Sequence, residues 1–104
     1  MSTKQDHKRW RRAFNDECLE RDNHKCKFCE ETDGLDVHHI TDRHDMPNGG
    51  YVLSNGITVC DEHHMLCEEL HSMGICEPEY HPDELYKMIG SSYDIAFNDS
   101  LNLK

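Results

Sequence analysis

The sequence predicts a small α+β domain, with two short strands and a helix at its centre, one helix before them and a helical extension after them. Two short-spaced pairs of metal-ligand residues are the first observation, namely Cys26 with Cys29 and Cys60 with His63. Two apolar runs of strand length lie between these pairs, separated by a loop rich in Gly, Asn and Pro. Apolar residues at helical spacing mark the segments on both sides. The pattern indicates a fold built around bound metal.

The composition is that of one domain over residues 1–104, with a core at about residues 10–73 and an extension at residues 74–104. Only 36% of residues are hydrophobic and 31% are charged, so a small core needs disulfides or a structural metal. No N-terminal apolar run indicates export, so the six cysteines are expected to be reduced and to favour zinc. No stretch approaches the ~20 apolar residues of a membrane span, so no membrane contact is expected.

The charge is divided unevenly along the chain, whose net charge is −10. Residues 1–29 carry eight Lys or Arg against five acids, a net +3, whereas residues 30–104 carry three against sixteen, a net −13. Contacts to nucleic-acid phosphates should therefore come mainly from the first thirty residues, from Arg43 and from bound metal. The acidic part either faces a protein partner or is simply solvated.

The first predicted element is an amphipathic helix from about His7 to Arg21, ending near Asp22 and Asn23. Residues 1–6 are polar and are expected to fray. The apolar face of the helix consists of Trp10, Ala13, Phe14 and Cys18. The basic residues near its start are Lys8, Arg9, Arg11 and Arg12. These side chains either lie along nucleic-acid phosphates or form an ordinary solvated face, and the sequence favours neither.

The central unit follows. Leu35 to Ile40 alternates as a short strand, with Val37 and His39 on one face and His38 on the other. A polar loop covers residues 41–50, and Asn55-Gly56 is a turn signal before a second strand at residues 57–59. A helix is predicted from Asp61 to about Met73, stopped by Gly74, and His64 in its first turn faces back towards the strands.

The extension contains a short predicted helix from Pro82 to Ile89, with proline at its start and Gly90 at its end. Residues 91–104 hold enough apolar side chains to dock on the core, but no element is predicted there. Cys67, His71 and Cys76 could form a second zinc site. No fourth ligand has suitable spacing, so burial of Cys67 and of Cys18 as small apolar residues is favoured.

The two short-spaced pairs predict a tetrahedral zinc site. Thiolates and imidazoles are the ligands that zinc prefers, and two pairs joined by a loop commonly supply them. The predicted ligands are Cys26, Cys29, Cys60 and His63. His24, beside the first pair, is expected to be a surface residue.

A second group of residues predicts catalysis rather than structure. His38, His39, Asn55 and His64 fall at a strand end, in a loop and at the start of a helix, which can bring them to one point. Two imidazoles can hold a divalent cation for Lewis-acid chemistry, and a third can act as a general base near neutral pH. An Asn can fix the base or its loop by hydrogen bonding. These parts suit hydrolysis of a phosphodiester.

Over about residues 10–70 the chain resembles the HNH endonucleases of the ββα-metal superfamily. The matching pieces are Arg21-Asp22 before Cys26-x-x-Cys29, then Val37-His38-His39-Ile40, then Asn55-Gly56-Ile57-Thr58-Val59-Cys60-x-x-His63-His64. The resemblance implies a ββα-metal core that cleaves DNA, by nicking or by double-strand cutting. It implies that His39 is the general base and that Asn55 orders its loop. It also implies that His38 and His64 bind a catalytic Mg²⁺ or Mn²⁺, or another divalent transition metal, beside a structural Zn²⁺.

The chain departs from this family in two ways. His63 stands where relatives with this zinc site usually have Cys, and the overall acidity is unusual for a DNA-binding protein. Free-standing HNH proteins of this size resemble phage-encoded nucleases, some of which act beside a packaging terminase. By this analogy we expect the cytoplasm of a bacterial or phage-infected host cell.

Two other functions remain open at this point. One is a non-catalytic zinc module that binds nucleic acid or protein. The other is an accessory subunit whose acidic surface docks on a packaging or recombination enzyme. In the loop after the first strand, Arg43 and His44 are candidate phosphate contacts, although His44 is favoured as a plain surface residue.

Overall fold

The computed structural model describes residues 3–104, which form a small α+β domain with four α-helices and a two-stranded sheet. The helices are α1 (Lys4–Arg21), α2 (Asp61–Met73), α3 (Pro82–Met88) and α4 (Tyr93–Leu101). The strands are β1 (Leu35–His39) and β2 (Gly56–Cys60). Short 3₁₀ turns occupy much of the loop between the strands and precede α3. The predicted α+β class and the order of its elements are confirmed.

Helix α1 begins earlier than the sequence predicted. Thr3 caps it, since the Thr3 hydroxyl accepts a hydrogen bond from the Asp6 N–H and the Asp6 carboxylate accepts one from the Thr3 N–H, each at 3.1 Å. This reciprocal capping box satisfies two backbone donors that a helix start leaves unpaired. The expectation that residues 1–6 fray is therefore wrong for residues 4–6, while residues 1 and 2 lie outside the described part of the chain.

The two strands pair antiparallel, and a helix covers each face of the sheet. Leu35 lies opposite Cys60, and His39 lies opposite Gly56. On the α1 face, the buried cluster consists of Trp10, Phe14, Cys18, Val37 and Tyr51. On the α2 face, the buried cluster includes Ile40, Ile57, Val59, Cys60 and Cys67. Successive residues of a strand point to opposite faces, so His38 lies towards α2 and His39 towards α1.

An ion pair joins the end of α1 to β2. The Asp22 side chain is 1% exposed and accepts two hydrogen bonds of 2.8 Å from Arg21 and one of 3.0 Å from the Thr58 N–H. Arg21 also donates to the carbonyls of Leu53 and Gly56. Burial acts to raise the pKa of Asp22, but these hydrogen bonds outweigh it and hold that pKa below its ordinary value. The carboxylate is thus charged and paired in the fold.

The C-terminal residues complete the core. Helix α3 confirms the predicted helix, although it ends one residue earlier, at Met88. Helix α4, which the sequence did not predict, begins after Ser92, whose hydroxyl accepts from the Ile95 N–H. The buried residues that this part of the chain adds to the α2-side cluster are Tyr80, Leu85, Tyr86 and Ala96. Within residues 3–104, no helix is long and apolar enough to cross a membrane.

Candidate functional site

The predicted zinc ligands converge. One ligand atom from each of four residues lies within 4.8 Å of the others, and these residues are Cys26, Cys29, Cys60 and His63. The His63 Nδ1 atom is 3.1 Å from the Cys60 sulfur and 3.7 Å from the Cys26 sulfur, and the Cys29 and Cys60 sulfurs are 3.8 Å apart. Ligands around a tetrahedral zinc with Zn–S of about 2.3 Å and Zn–N of about 2.0 Å have similar separations. This Cys₃His cluster can hold a metal ion such as zinc, as predicted.

The chain around the first cysteine pair fixes these ligands. The Glu30 N–H bonds to the Cys26 carbonyl at 2.9 Å, which closes the turn, and the Lys27 N–H bonds to the Thr58 carbonyl at 3.0 Å, which attaches the turn to β2. Phe28 stacks on the His63 ring at 5.0 Å. Burial acts to raise the pKa of Cys26, but backbone hydrogen bonds outweigh it and lower that pKa, which favours the thiolate form that zinc requires. His24 is exposed, as expected.

A second cluster joins β1 to α2. One carboxylate oxygen, Glu68 Oε1, lies 3.1 Å from His38 Nδ1 and 3.2 Å from His64 Nε2. Ligand atoms of the three residues all lie within 4.8 Å of one another. The other ring nitrogen of His64 is 3.2 Å from an Asp36 carboxylate oxygen, a contact that fixes the orientation of the ring. The sequence predicted His38 and His64 but missed Glu68, although its position four residues after His64 on one helix face indicates proximity.

The charges in this cluster suit a divalent cation. A hydrogen bond from His38, working against burial, lowers the pKa of Glu68 to about 2, so its carboxylate is ionised. Burial lowers the pKa of His38, although Glu68 opposes this, so the imidazole is neutral at physiological pH. Its Nε2 atom is buried and has no hydrogen-bond partner among the described residues. Two imidazoles and one carboxylate form a donor set that several divalent ions accept.

His39 lies on the opposite face of β1, against α1. Its ring packs on Phe14 at 4.6 Å and meets the Tyr51 ring edge-on at 5.1 Å. Burial, with smaller contributions from His38 and Arg43, lowers the pKa of His39 to about 4. The ring is therefore neutral at physiological pH and keeps a lone pair that can accept a proton.

A cleft of about 220 Å³ brings the two faces of the strand end together. Its lining residues are Val37, His39, Asp42, Arg43, His64, Glu68 and His71. His39 is therefore among the residues that line the same space as His64 and Glu68, while its Nε2 atom is buried without a hydrogen-bond partner among the described residues. His71, which the sequence considered only as a zinc ligand, lies with Nε2 3.2 Å from the His39 carbonyl oxygen. This contact joins α2 to the end of β1.

Asn55 holds the loop that follows β1. Its side-chain oxygen accepts from the Thr41 N–H at 3.0 Å and from the Tyr86 hydroxyl at 2.7 Å. Its amide nitrogen donates to the carbonyls of Thr41 and Gly50, both at 3.1 Å. The Asn55 side chain is fully buried, so this set of four bonds fixes where the loop leaves β1. Nothing in the sequence pattern indicated Tyr86, because a tyrosine thirty-one residues away carries no local signal.

The predicted nucleic-acid contacts do not form one group. Arg11 lies over the Tyr51 ring, 5.9 Å from its centroid, and Arg43 lines the cleft. Arg9 bonds instead to the Asp6 carboxylate at 3.2 Å and to the Lys104 carbonyl at 2.8 Å. Arg12 lies in a separate basic groove on α1, lined by Lys4, Gln5, Lys8, Arg9 and Arg12. His44 is exposed, as favoured above.

The favoured burial of two cysteines is confirmed. Cys67 and Cys18 are 1% and 0% exposed, and burial raises the pKa of each thiol to about 12, so both are neutral.

Within residues 3–104, the groups of three or more ligand residues close enough for a metal are the Cys₃His cluster and the His38–His64–Glu68 cluster. Cys67, His71 and Cys76 do not form a third.

Comparisons with protein-family models, with curated proteins and with solved structures each gave no match for this chain.

Proposed function

We propose that this chain is a metal-dependent endonuclease of the HNH type that hydrolyses phosphodiester bonds of DNA, by nicking or by double-strand cleavage. The observation that carries the proposal is the meeting of His38 Nδ1 and His64 Nε2 at Glu68 Oε1, beside a cleft that His39 also lines. The order β1, β2, α2 around this cluster is the arrangement that the resemblance to ββα-metal nucleases implies.

Each residue then has a role. His38, His64 and Glu68 would hold Mg²⁺, Mn²⁺ or another divalent ion, which when bound stabilises negative charge on the phosphate and the leaving oxygen. His39 accepts the proton of the attacking water, for which its neutral imidazole is suited. Asn55 keeps the end of β1 and the following loop in place. The Cys₃His cluster would hold Zn²⁺ and fix the start of α2, and so the position of His64.

A non-catalytic module, or an accessory subunit of a larger complex, is the second candidate. The net −13 over residues 30–104 favours it, since such a surface repels nucleic acid and suits a basic protein partner. A binding module, however, needs neither the neutral, half-buried His39 nor a second donor set next to it. These two features support catalysis over scaffolding.

The test is cleavage of supercoiled plasmid DNA by the purified, zinc-loaded protein, with EDTA, Mg²⁺, Mn²⁺ or Ni²⁺. We expect metal-dependent nicking or linearisation that His39→Ala reduces by at least about 10³-fold. His44→Ala is the matched control, because His44 is an exposed histidine in the loop after β1 and should leave cleavage unchanged. If the folded protein cleaves with no metal, or His39→Ala cleaves like the native chain, the proposal is wrong.

Glu68→Gln tests the metal cluster separately. The amide keeps the size of the side chain but removes the charge that faces two imidazoles, so the apparent affinity for the divalent ion should fall about 10–100-fold. Saturating metal should then restore part of the cleavage rate. Glu69→Gln, a half-buried neighbour on α2 outside both metal-ligand clusters, serves as the control.

A further inference from the structure

Beside His39 lies a group of side chains that neither cluster uses, made of Arg11 on α1, Arg43 in the loop after β1, and the Tyr51 hydroxyl. We call it the arginine–tyrosine site. The Tyr51 ring is held firmly, since its residue is 6% exposed and its ring contacts those of His39 at 5.1 Å and Phe14 at 5.9 Å. The hydroxyl of a ring fixed in this way has a defined position, next to the end of β1.

Two arginines from different elements lie beside the touching Tyr51 and His39 rings, since Arg11 lies over the Tyr51 ring and Arg43 lines the cleft with His39. Arg11 and Arg43 are exposed residues thirty-two positions apart, and both interact with the Tyr51 side chain. Burial acts to raise the pKa of Tyr51, but hydrogen bonds and charge from the two arginines outweigh it and lower that pKa. Two guanidinium groups near the Tyr51 phenol account for this direction.

Carboxylates do not neutralise these arginines. Among residues 3–104, neither Arg11 nor Arg43 forms an ion pair, whereas Arg9 pairs with Asp6 and Arg21 pairs with Asp22. In a chain with twenty-one acidic residues and eleven basic ones, two neighbouring arginines without an ion-pair partner leave their guanidinium groups available to an anion, next to the Asp42 and Glu68 carboxylates that also line the cleft. Guanidinium groups present planar arrays of N–H donors that match the oxygens of a phosphate, and a phenol adds one more donor.

The position of the site is specific. Arg43 lines the cleft that also contains His39, His64 and Glu68, and the Tyr51 ring touches the His39 ring. An anion bound by these three side chains would therefore lie on the side of the molecule where the Tyr51 and His39 rings meet. We propose that Arg11, Arg43 and the Tyr51 hydroxyl form a phosphate-binding site that holds a backbone phosphate of nucleic acid next to His39. The nucleic-acid part rests on the proposed function, whereas phosphate binding itself does not.

The first test uses inorganic phosphate and the zinc-loaded full-length protein without other divalent ions. Titration is followed by the NMR signals of the arginine Nε–H groups. We expect the Arg11 and Arg43 signals to move together with one dissociation constant, while those of Arg12 and of the ion-paired Arg21 stay in place. Tyr51→Phe keeps the ring and should weaken binding about fivefold. Equal shifts of the Arg11, Arg12 and Arg43 signals would show only nonspecific screening of charge by phosphate. That result would overturn the proposed phosphate-binding site.

The second test identifies the ligand as nucleic acid. Binding of a short duplex DNA is measured in EDTA, with zinc retained, at several salt concentrations. Arg43→Gln and Arg11→Gln should each weaken binding about tenfold and lower the salt dependence by about one phosphate contact. Arg12→Gln, on the neighbouring position of α1, is the matched control and should have a smaller effect.

The outcomes separate this site from the proposed nuclease. If inorganic phosphate binds at Arg11 and Arg43 but their substitution leaves DNA affinity equal to that of Arg12→Gln, the nucleic-acid assignment is overturned. If DNA binding depends on the three residues but the plasmid is never cut, the site stands and the endonuclease proposal fails. If neither phosphate nor DNA responds to Tyr51→Phe, Arg11→Gln and Arg43→Gln, the site does not exist.

Discussion

At the residue scale, the most informative side chain is Asn55, because it is polar, fully buried and completely bonded. A buried amide of this kind stabilises one arrangement of the surrounding loop, since any other arrangement leaves donors and acceptors unpaired. The same residue matches the Asn of the HNH resemblance. The structure gives a physical reason for an amide here that is independent of the resemblance.

Asn55→Ala should lower the free energy of unfolding by about 3 kcal/mol, because it leaves the buried backbone N–H and carbonyl of Thr41 unpaired and removes one bond each from the Gly50 carbonyl and the Tyr86 hydroxyl. Tyr86→Phe should lower it by about 1 kcal/mol, since the Asn55 oxygen keeps the Thr41 N–H. Urea unfolding of zinc-loaded protein measures both values. The double variant should lose less stability than the sum of the losses in the two single variants, because both changes act on the same hydrogen bonds. Equal losses of stability in the two single variants would contradict this network.

Asp22 gives a pH-dependent prediction. Its pKa in the fold lies below the ordinary value of 3.8, so its charge stabilises the fold above pH 3.8, and this stabilisation is lost as the pH falls through the lower folded pKa. Asp22→Asn should cost about 3 kcal/mol near neutral pH, since it leaves Arg21 without its buried partner.

Thermal unfolding of both proteins across pH measures this cost. The difference between them should stay constant between about pH 7 and pH 5 and shrink only below pH 3.8. Asp16→Asn, on the exposed face of α1, is the control for a general effect of charge. A difference that instead grew on acidification would show that the ionised form is not the stabilising one.

At the scale of elements, local patterns predicted most of the fold. Periodicity and breakers placed α1, β1, β2, α2 and α3 within three residues of their ends. Helix α4 was missed, because Tyr93, Ile95 and Leu101 are exposed and only Ala96 and Ser100 are buried, so no strong apolar stripe marks it. The early start of α1 was missed because a capping box at Thr3 outweighs a polar composition.

The sequence predicted those residues of the candidate site that are close to each other in the chain or that match the spacing of a known motif. The Cys₃His cluster followed from two short-spaced pairs. Glu68 and Tyr86 depend on how α2 and α3 pack against the sheet, and Tyr51 depends on how α1 crosses it. Such contacts across the fold have no signature in a single sequence.

Gly56 tests how closely α1 packs on β2. A methyl group added at Gly56 would lie 2.5 Å from the Cys18 sulfur and 2.6 Å from a Phe14 ring carbon, although the backbone conformation suits any residue. Gly56→Ala should therefore destabilise the protein by about 1–3 kcal/mol through steric overlap. Urea unfolding of Gly56→Ala and of the native protein measures this loss of stability.

Gly74→Ala is the contrasting variant. Gly74 ends α2 with φ +79, and nothing lies within 4 Å of an added methyl group, so the cost of about 1 kcal/mol is conformational only. Replacing Phe14 with Leu should partly rescue Gly56→Ala but not Gly74→Ala. Rescue of both would show that packing against α1 is not the reason for the glycine.

At the scale of the whole molecule, the sheet separates two small clusters of buried residues, and neither is large. The α1-side cluster is built around Trp10 and Phe14. The α2-side cluster includes Cys26 and Cys60, so two of the four residues of the Cys₃His cluster belong to the core. In a chain that is 36% hydrophobic, we expect this continuity to make the stability of the domain depend on a metal ion bound there.

Removal of zinc should therefore unfold this half of the molecule. Apparent binding free energies of structural zinc are about 10–16 kcal/mol, comparable with the whole stability of about 5–15 kcal/mol of an ordinary domain. A strong chelator should lower the midpoint of thermal unfolding by at least roughly 20 °C, because each kcal/mol shifts it by about 4–8 °C in a domain of this size. Zn²⁺ should restore the midpoint, and Mg²⁺ should not.

The fourth ligand can be tested by exchange. His63→Cys keeps a competent ligand where Phe28 stacks on the imidazole, so it should retain zinc and lose only the stacking contact. His63→Ala should behave in zinc like the native protein in chelator. Measured zinc content separates ligand loss from simple repacking. The contrary outcome would be a His63→Ala protein that keeps one zinc per chain and an unchanged unfolding midpoint. It would show that the three cysteines hold the metal alone. The His63 imidazole would then not be the ligand that joins α2 to the sheet.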